Sequence, residues 1–100
     1  MPVYIITYDL SSEEEPRPIV DRIMEIADES NGAYIKLCDS SYAIDLNLTS
    51  KEVYERLKQL VFGSKDHVYV IALSQQWTGW CTESVRKWLN DRLPQPDLRG

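Results

Sequence analysis

Apolar residues recur along the chain at two spacings, one typical of strands and the other of helices. Val3 to Tyr8 is rich in β-branched and aromatic residues with little polarity on either face, which predicts a central strand covered on both sides. After an acidic loop, apolar residues return at helical spacing, and Pro18 suits the first turn of a helix. The stripe of this helix consists of Ile19, Val20, Ile23, Met24, Ile26 and Ala27. We expect Asn31-Gly32 to end it in a left-handed conformation.

The middle of the chain predicts a hairpin followed by a second helix. Two strand-like runs, Ala33 to Cys38 and Tyr42 to Leu48, are joined by the polar residues DSS. Thr49 and Glu52 then have the spacing of a capping box, and we expect Gly63 to close the helix. Its apolar stripe consists of Val53, Leu57, Leu60 and Val61.

The last third of the chain predicts one more strand and one more helix. Asp66 to Leu73, DHVYVIAL, has two apolar faces, and SQQWTGW follows as a short extended or looped segment. A helix from about Thr82 to Asp91 then carries Val85, Trp88 and Leu89 on one side. Residues 94–100 contain two prolines and no periodicity, so we expect a flexible C-terminal tail.

The order β-α-β-β-α-β, followed by an extra segment and helix, predicts an α+β fold. It is the pattern of a ferredoxin-like sandwich, in which four antiparallel strands carry two helices on one face. Residues 1–93 would form this single domain. Because strands one and four are apolar on both faces, something has to cover the second face of the sheet. We expect a second copy of the chain to do so, helped by the terminal segment, which predicts a homodimer.

Composition adds the charge and the redox state to this picture. A chain of 100 residues with 43% hydrophobic content can bury a core as one domain, and its net charge is −5. Tight nonspecific binding to nucleic acid is disfavoured, because that affinity comes mostly from Lys and Arg. Cys38 and Cys81 are far apart and lack neighbouring ligands, which predicts two reduced, packed thiols. Without a signal-peptide pattern or a bilayer-length apolar run, we expect a cytoplasmic protein that does not enter membranes.

The main candidate for chemistry is Asp9, the carboxylate that ends the apolar run IITYDL. An acid at the end of a central strand is held by rigid backbone and still reaches solvent. The alternative is a turn residue whose side chain caps the amide of Ser11 or Ser12. A single carboxylate makes a poor Mg²⁺ site, but two copies of Asp9 near a dimer axis could share one cation. Such a cation could ready a water to attack a phosphodiester.

Two further sets of residues could complete an acidic site. Glu13, Glu14 and Glu15 are either additional metal ligands or a solvated loop before a proline. His67 is the only histidine, so it is either a general base or a surface or packed residue. Its reach to Asp9 cannot be judged from the sequence.

Aromatic and basic residues near the C-terminus suggest a different kind of contact. Trp77 and Trp80 could stack on nucleic-acid bases, or they could be anchors packed against the chain's own core or an interface. Arg86 and Lys87 are the best candidates for contact with phosphates, the alternative being a solvated helix face. The sequence lacks nucleotide-binding loops and the zinc-protease and serine-hydrolase motifs. Asp9 therefore stays the main candidate for a functional residue.

A short chain of this element order that opens with VYIITYDL resembles a known family. With Tyr8-Asp9 at the end of strand one, it resembles the second of the CRISPR-associated adaptation proteins. It is similar as well to the virulence-associated VapD proteins and to the small SinR-like proteins. The resemblance spans about residues 3–80, with further matches at CDSSYAID and at DHVYVIAL followed by Trp77.

The resemblance implies a fold, a partner and two alternative functions. Proteins of this type are typically ferredoxin-like homodimers, and some are Mg²⁺-dependent endonucleases on RNA or DNA, whose metal-site acid corresponds to Asp9. Other members are basic scaffolds that hold duplex DNA, whereas the first helix and the loop before it are acidic here. The two expectations are a metal-dependent endonuclease and a non-catalytic interaction or scaffold module of the same fold.

Overall fold

The computed structural model describes residues 2–11, 16–58, 63–73, 77 and 79–93, which form strands and helices in the predicted order. The elements in chain order are β1 (Val3–Asp9), α1 (Arg17–Glu29), β2 (Ala33–Cys38), β3 (Ser41–Asp45), α2 (Ser50–Leu57), β4 (His67–Leu73) and α3 (Glu83–Arg92). The predictions for Glu13, Glu14, Glu15, Leu60, Val61 and the tail of residues 94–100 fall outside the described residues.

The strands form one antiparallel sheet in the order β2-β3-β1-β4. At one end of β1, Val3 pairs with Asp45 of β3 and with Leu73 of β4. At the other end, Asp9 pairs with His67. The predicted α+β architecture with a four-stranded antiparallel sheet is confirmed, and it is compatible with a ferredoxin-like arrangement.

Helices α1 and α2 cover one face of the sheet. Successive strand residues point to opposite faces, and the even-numbered residues of β1 and β3 point toward these helices. The buried cluster consists of Tyr4, Ile6, Tyr8, Ile19, Ile23, Ile26, Ala27, Tyr42, Ile44, Leu46, Val53 and Leu57. Most of the predicted apolar stripe of each helix therefore belongs to this core as far as the described residues extend. Val20 packs against it, and Met24 is not among its residues.

The junction after α1 uses two residues with different requirements. Pro18 lies in the first turn of α1, as predicted. Asn31 has a positive φ of 54°, so the left-handed residue after the helix is Asn31 and not glycine. Gly32 is required for space, because a Cβ there would overlap the carbonyl oxygen of Asp45.

The start of α2 follows the predicted capping box. The Glu52 amide donates to the Thr49 hydroxyl over 3.1 Å, and the Thr49 amide donates to Glu52 Oε1 over 2.9 Å. These hydrogen bonds hold the pKa of Glu52 below its ordinary value. Gly63 was expected to close the helix, but α2 ends at Leu57 with Lys58 as its C-cap. The Gly63 amide instead donates to Asp66 Oδ2 over 2.8 Å in the turn before β4.

Helix α3 lies on the second face of the sheet. A second buried cluster joins Val3 and Ala43 of the sheet to Val85 and Leu89 of α3 and to Leu93. The sequence predicted that a second copy, helped by the terminal segment, covers this face. Helix α3 of the same chain covers part of it, and the homodimer stays a prediction. The covering helix belongs to the same chain, and only nine residues separate it from the end of β4, which keeps the entropic cost of its docking small.

Part of the second face and one thiol remain exposed. Tyr69 and Ile71 of β4 are 53% and 51% exposed. Cys81 packs partly against the second cluster, whereas Cys38 is exposed at the end of an edge strand, so the prediction of a packed thiol is wrong for Cys38. In the described part of the chain, no helix is long and apolar enough to cross a membrane.

Candidate functional site

Asp9 lies directly across from His67 at one end of the sheet. Asp9 is the last residue of β1, His67 is the first of β4, and both are exposed. β1 lies between β3 and β4, and its successive residues direct their backbone groups to alternate sides. The Tyr8 amide donates to the Ser40 carbonyl oxygen on the β3 side, so the odd-numbered residues of β1 direct their N–H and C=O groups toward β4. Asp9 and His67 therefore form a hydrogen-bonded pair, with Cα atoms about 5.5 Å apart and side chains on one face. The sequence could not show this proximity, which depends on the strand register.

Asp66 fixes the loop that follows Asp9. Its Oδ1 accepts a hydrogen bond from the Ser11 amide over 2.8 Å, and its Oδ2 accepts one from the Gly63 amide over 2.8 Å. The alternative in which Asp9 caps Ser11 is therefore wrong, and Ser12 lies outside the described residues. By joining the end of β1 to the start of β4, Asp66 keeps the two strand ends side by side. Sequence reasoning missed this role, since an Asp before a strand is an ordinary turn residue.

A second carboxylate shares a depression with Asp9. The depression has a volume of about 310 Å³ and is lined by Tyr8, Asp9, Leu10, Ser11, Pro16, Asp39 and Ser40. Asp39 comes from the turn between β2 and β3 and is fully exposed, with its Oδ1 3.6 Å from Lys36 Nζ. The sequence predicted this turn but gave no reason to place it beside Asp9, since the two residues are 30 positions apart.

Tyr8 supports the turn that carries Asp39. Its hydroxyl donates to the Asp39 carbonyl oxygen over 3.1 Å. Burial, together with the nearby Tyr42, Asp39 and Cys38, raises the pKa of Tyr8 above its ordinary value of 10.0. The phenol is therefore neutral near pH 7 and acts as a hydrogen-bond donor that positions the turn.

Two carboxylates line this depression, and carboxylates are the usual protein ligands of Mg²⁺. Mg²⁺ is usually held by one or two carboxylates, with waters and substrate phosphates in its remaining positions. Asp9 and Asp39 provide two exposed carboxylates at the same depression. Across the described ranges, no group of three or more His, Cys, Asp or Glu side chains could hold a metal ion. Two carboxylates would be enough for a largely hydrated Mg²⁺, whereas a zinc site takes three or four protein ligands.

His67 borders a second depression. This depression has a volume of about 230 Å³ and is lined by Tyr54, Asp66, His67, Val68 and Tyr69. An exposed imidazole beside a carboxylate can accept a proton from a reacting group or return one. The pair thus places an imidazole on the strand next to Asp9.

The two candidate tryptophans have different environments. Trp77 packs partly against the second buried cluster, its Nε1 donates to Asn90 Oδ1 over 3.0 Å, and the Arg86 guanidinium lies 5.8 Å from its ring centroid. Trp77 therefore anchors α3 within its own chain. Trp80 is 99% exposed, so its indole can meet a partner or a base.

The basic candidates on α3 lie apart from the acidic depression. Neither Arg86 nor Lys87 lines it. Lys87 Nζ is 3.3 Å from Asp91 Oδ2 on the same exposed helix face. The structure thus brings Asp9 and His67 together but does not add Arg86 and Lys87 to them.

Comparisons with known proteins leave the site to be interpreted from its own geometry. No family model, curated protein or solved structure matches this chain. The candidate site lies at one end of the sheet. Asp9 and His67 pair there across β1 and β4, and Asp39 lines the same depression as Asp9.

Proposed function

We propose that the protein is a metal-dependent endonuclease that cuts RNA or DNA at the Asp9 end of its sheet. The observation that carries this proposal is the pairing of Asp9 with His67 beside a depression that holds a second carboxylate, Asp39. We also infer a ferredoxin-like sandwich, because β1 and β3 occupy the centre of the sheet and α1 and α2 share one face. The resemblance to the CRISPR-associated adaptation and VapD-like proteins supports both inferences.

Each residue of the site has a separate role in this proposal. Asp9 and Asp39 would bind and orient Mg²⁺, which when bound neutralises charge on a phosphodiester and acidifies water. His67 accepts a proton at an imidazole nitrogen, and imidazole is the side chain best suited to do so near neutral pH. Asp66 positions the segment that follows Asp9, because it accepts a hydrogen bond from the Ser11 amide. Two carboxylates within one chain remove the need for a cation shared between two copies of Asp9.

The charge of the chain defines the conditions under which cleavage is measurable. With a net charge of −5, the protein binds a polyanion weakly, and added salt weakens this binding further. A transient cut needs less binding energy than a stable complex. We therefore expect cleavage at low ionic strength and high substrate concentration, and no long-lived complex with duplex DNA.

Cleavage of labelled RNA and DNA in Mg²⁺ or Mn²⁺ tests the proposal. We expect Asp9→Asn and His67→Gln each to lower the rate about 100-fold. Asp39→Asn should raise the Mg²⁺ concentration needed for half-maximal rate. The matched control is Asp28→Asn, an exposed carboxylate at the opposite end of α1 from the depression. Equal activity of wild type and Asp9→Asn would remove Asp9 from any mechanism.

A non-catalytic interaction module is the second candidate, and Trp80 is the observation that favours it. An indole that is 99% exposed is a typical anchor for a protein partner. Absence of cleavage by the folded protein over a range of metals and substrates would select this alternative.

A further inference from the structure

The two edges of the sheet differ in their protection against further strands. β2 carries Lys36 and has a register irregularity between Lys36 and Cys38, and both features disfavour the addition of a strand. Among the strands that the structure describes, β4 is the other edge, and it has neither feature. From His67 to Gln76 the sequence contains no Lys, Arg, Asp, Glu or Pro. β4 is thus a seven-residue apolar edge without the usual protective residues.

The backbone groups on the outer side of β4 can be assigned from the register. Because odd-numbered residues of β1 turn toward β4, they form hydrogen-bonded pairs with the odd-numbered residues of β4. The even-numbered residues therefore direct their N–H and C=O groups away from the sheet. These residues are Val68, Val70 and Ala72.

The side chains next to this edge are apolar and half exposed. Tyr69 and Ile71 lie on one face of β4, across from Thr7 and Ile5 of β1. They are 53% and 51% exposed. On the helix side, Val68 and Val70 pack against the main core, so the strand is held in place from within its own chain.

We propose that β4 pairs antiparallel with β4 of a second copy, about a two-fold axis at Val70. Val70 then pairs with its own counterpart, and Val68 pairs with Ala72 of the second copy. Three hydrogen-bonded pairs with two bonds each satisfy all the outward backbone groups of these residues, which makes six hydrogen bonds. Two four-stranded sheets become one continuous sheet of eight strands.

The pattern of β4 fits its own copy and not just any strand. A two-fold interface needs a surface that complements itself, so that residue i contacts residue j and j contacts i. With the axis at Val70, Tyr69 lies opposite Ile71 of the second copy, and the pair occurs twice. His67 lies opposite Leu73 of the second copy, so no like charges meet despite the net charge of −5. An aromatic residue opposite a β-branched one is a favourable cross-strand pair.

This arrangement does not depend on the proposed nuclease activity. The two copies of Asp9 would be separated by three strand spacings across the sheet and by six residues along it. That distance is about 25 Å, which excludes a shared cation. Each copy keeps its own Asp9, Asp39 and His67, so loss of association and loss of cleavage are separate results.

Sedimentation equilibrium from about 1 μM to 1 mM protein tests the pairing. A single strand edge buries less than about 1,200 Å², so we expect micromolar association. Ile71→Lys and Tyr69→Glu each place a charge in the proposed interface between the two β4 strands, at a position that is exposed in the single chain. Each should raise the dimer dissociation constant at least about tenfold. The double variant Tyr69→Glu/Ile71→Lys places opposite charges across the axis and should restore association. Tyr34→Lys, on the other edge strand, is the matched control.

Amide hydrogen exchange gives an independent readout of the register. The amides of Val68, Val70 and Ala72 should exchange more slowly as the protein concentration rises, whereas those of Tyr69 and Ile71 are already protected by β1. A monomer at 1 mM overturns the proposal. So does a dimer that Ile71→Lys leaves intact, a dimer that Tyr34→Lys dissociates equally, or failure of the double variant to associate.

Discussion

Single residues at the junctions decide how closely the elements of this protein approach each other. Gly32 follows α1 at the point where the chain passes β3. A Cβ there would overlap the Asp45 carbonyl oxygen and lie 2.8 Å from Leu46 Cβ. Both neighbours belong to a buried part of the sheet and cannot move independently of it.

We expect Gly32→Ala to lower the free energy of unfolding by about 1–3 kcal/mol, because backbone has to shift to make room. Gly79→Ala is the matched control, since a Cβ there would lie 3.5 Å from the Trp77 ring, an ordinary contact. Urea denaturation of the two variants and wild type measures the difference. Equal stability of both variants would mean that the β3 backbone can move to accommodate the added Cβ without a measurable cost.

The raised pKa of Tyr8 predicts a loss of stability at high pH. Folding favours the neutral phenol, so the folded chain keeps a proton that the unfolded chain releases first. This contribution is present in full below pH 10.0, the ordinary pKa, and is lost as the pH rises through the higher folded pKa. Urea denaturation from about pH 8 to 11 should therefore show a smaller alkaline loss for Tyr8→Phe than for wild type.

The control for this experiment is Tyr54→Phe, which removes an exposed phenol on α2. At pH 7, Tyr8→Phe should itself cost about 1 kcal/mol, because it removes the hydrogen bond to the Asp39 carbonyl oxygen. If both variants show the same alkaline slope as wild type, Tyr8 does not titrate with a raised pKa.

At the scale of elements, two charge networks join helices to their neighbours. On the core side, the buried Arg22 Nε donates to the Arg56 carbonyl oxygen over 3.0 Å, and its Nη1 donates to Glu29 Oε2 over 3.2 Å, which ties α1 to α2. On the other face, Arg92 Nε donates to Asp45 Oδ2 over 2.7 Å, which ties α3 to β3. In the sequence both arginines are ordinary polar positions, and only the packing buries Arg22 itself and Asp45, the partner of Arg92.

Removal of Arg92 should be costly because Asp45 is buried. Its Oδ1 has no hydrogen-bond partner among the described residues, so Arg92 compensates most of its charge. Arg92→Met also loses the stacking on Trp88, whose ring centroid is 3.9 Å from the guanidinium carbon. We expect a loss of about 3 kcal/mol in the free energy of unfolding.

The double variant Asp45→Asn/Arg92→Met should be less destabilised than Arg92→Met alone, because it leaves no unpaired charge. Lys87→Met breaks an exposed pair on the same helix and should change stability by less than about 0.5 kcal/mol. Thermal denaturation of the three variants measures this order. A double variant no more stable than Arg92→Met would show that the Asp45 charge is not the source of the cost.

At the scale of the whole molecule, two apolar clusters share one sheet. Val3 and Ala43 belong to the cluster beneath α3, while Tyr4 and Ile44, their neighbours along the same strands, belong to the main core. Neither cluster can unfold without exposing the strands of the other. We therefore expect residues 1–93 to unfold as one cooperative unit.

Coincident transitions in far-ultraviolet circular dichroism and tryptophan fluorescence would support a single unit. The fluorescence reports on the second face, because Trp77 and Trp88 pack there. A fluorescence transition at lower denaturant concentration would show that α3 detaches first.

The fold was more predictable from the sequence than the site. Strand alternation, helical stripes, the Thr49 capping box and the helical stop near Asn31 are local patterns, and each reports the conformation of its own segment. The pairing of Asp9 with His67, the role of Asp66 and the presence of Asp39 at the same depression depend on residues far apart in the chain. Asp9 was a candidate from its position, but its partners were not.

By itself, the sequence determined the kind, order and apolar faces of the elements, because neighbouring residues set backbone preference and amphipathic period. The tertiary structure decided the strand register, which places Asp9 across from His67, and the docking of α3 on the second face. Register and docking depend on contacts between distant segments, which local periodicity does not encode. One edge, β4, is left without a described partner, and its pattern matches a second copy of itself.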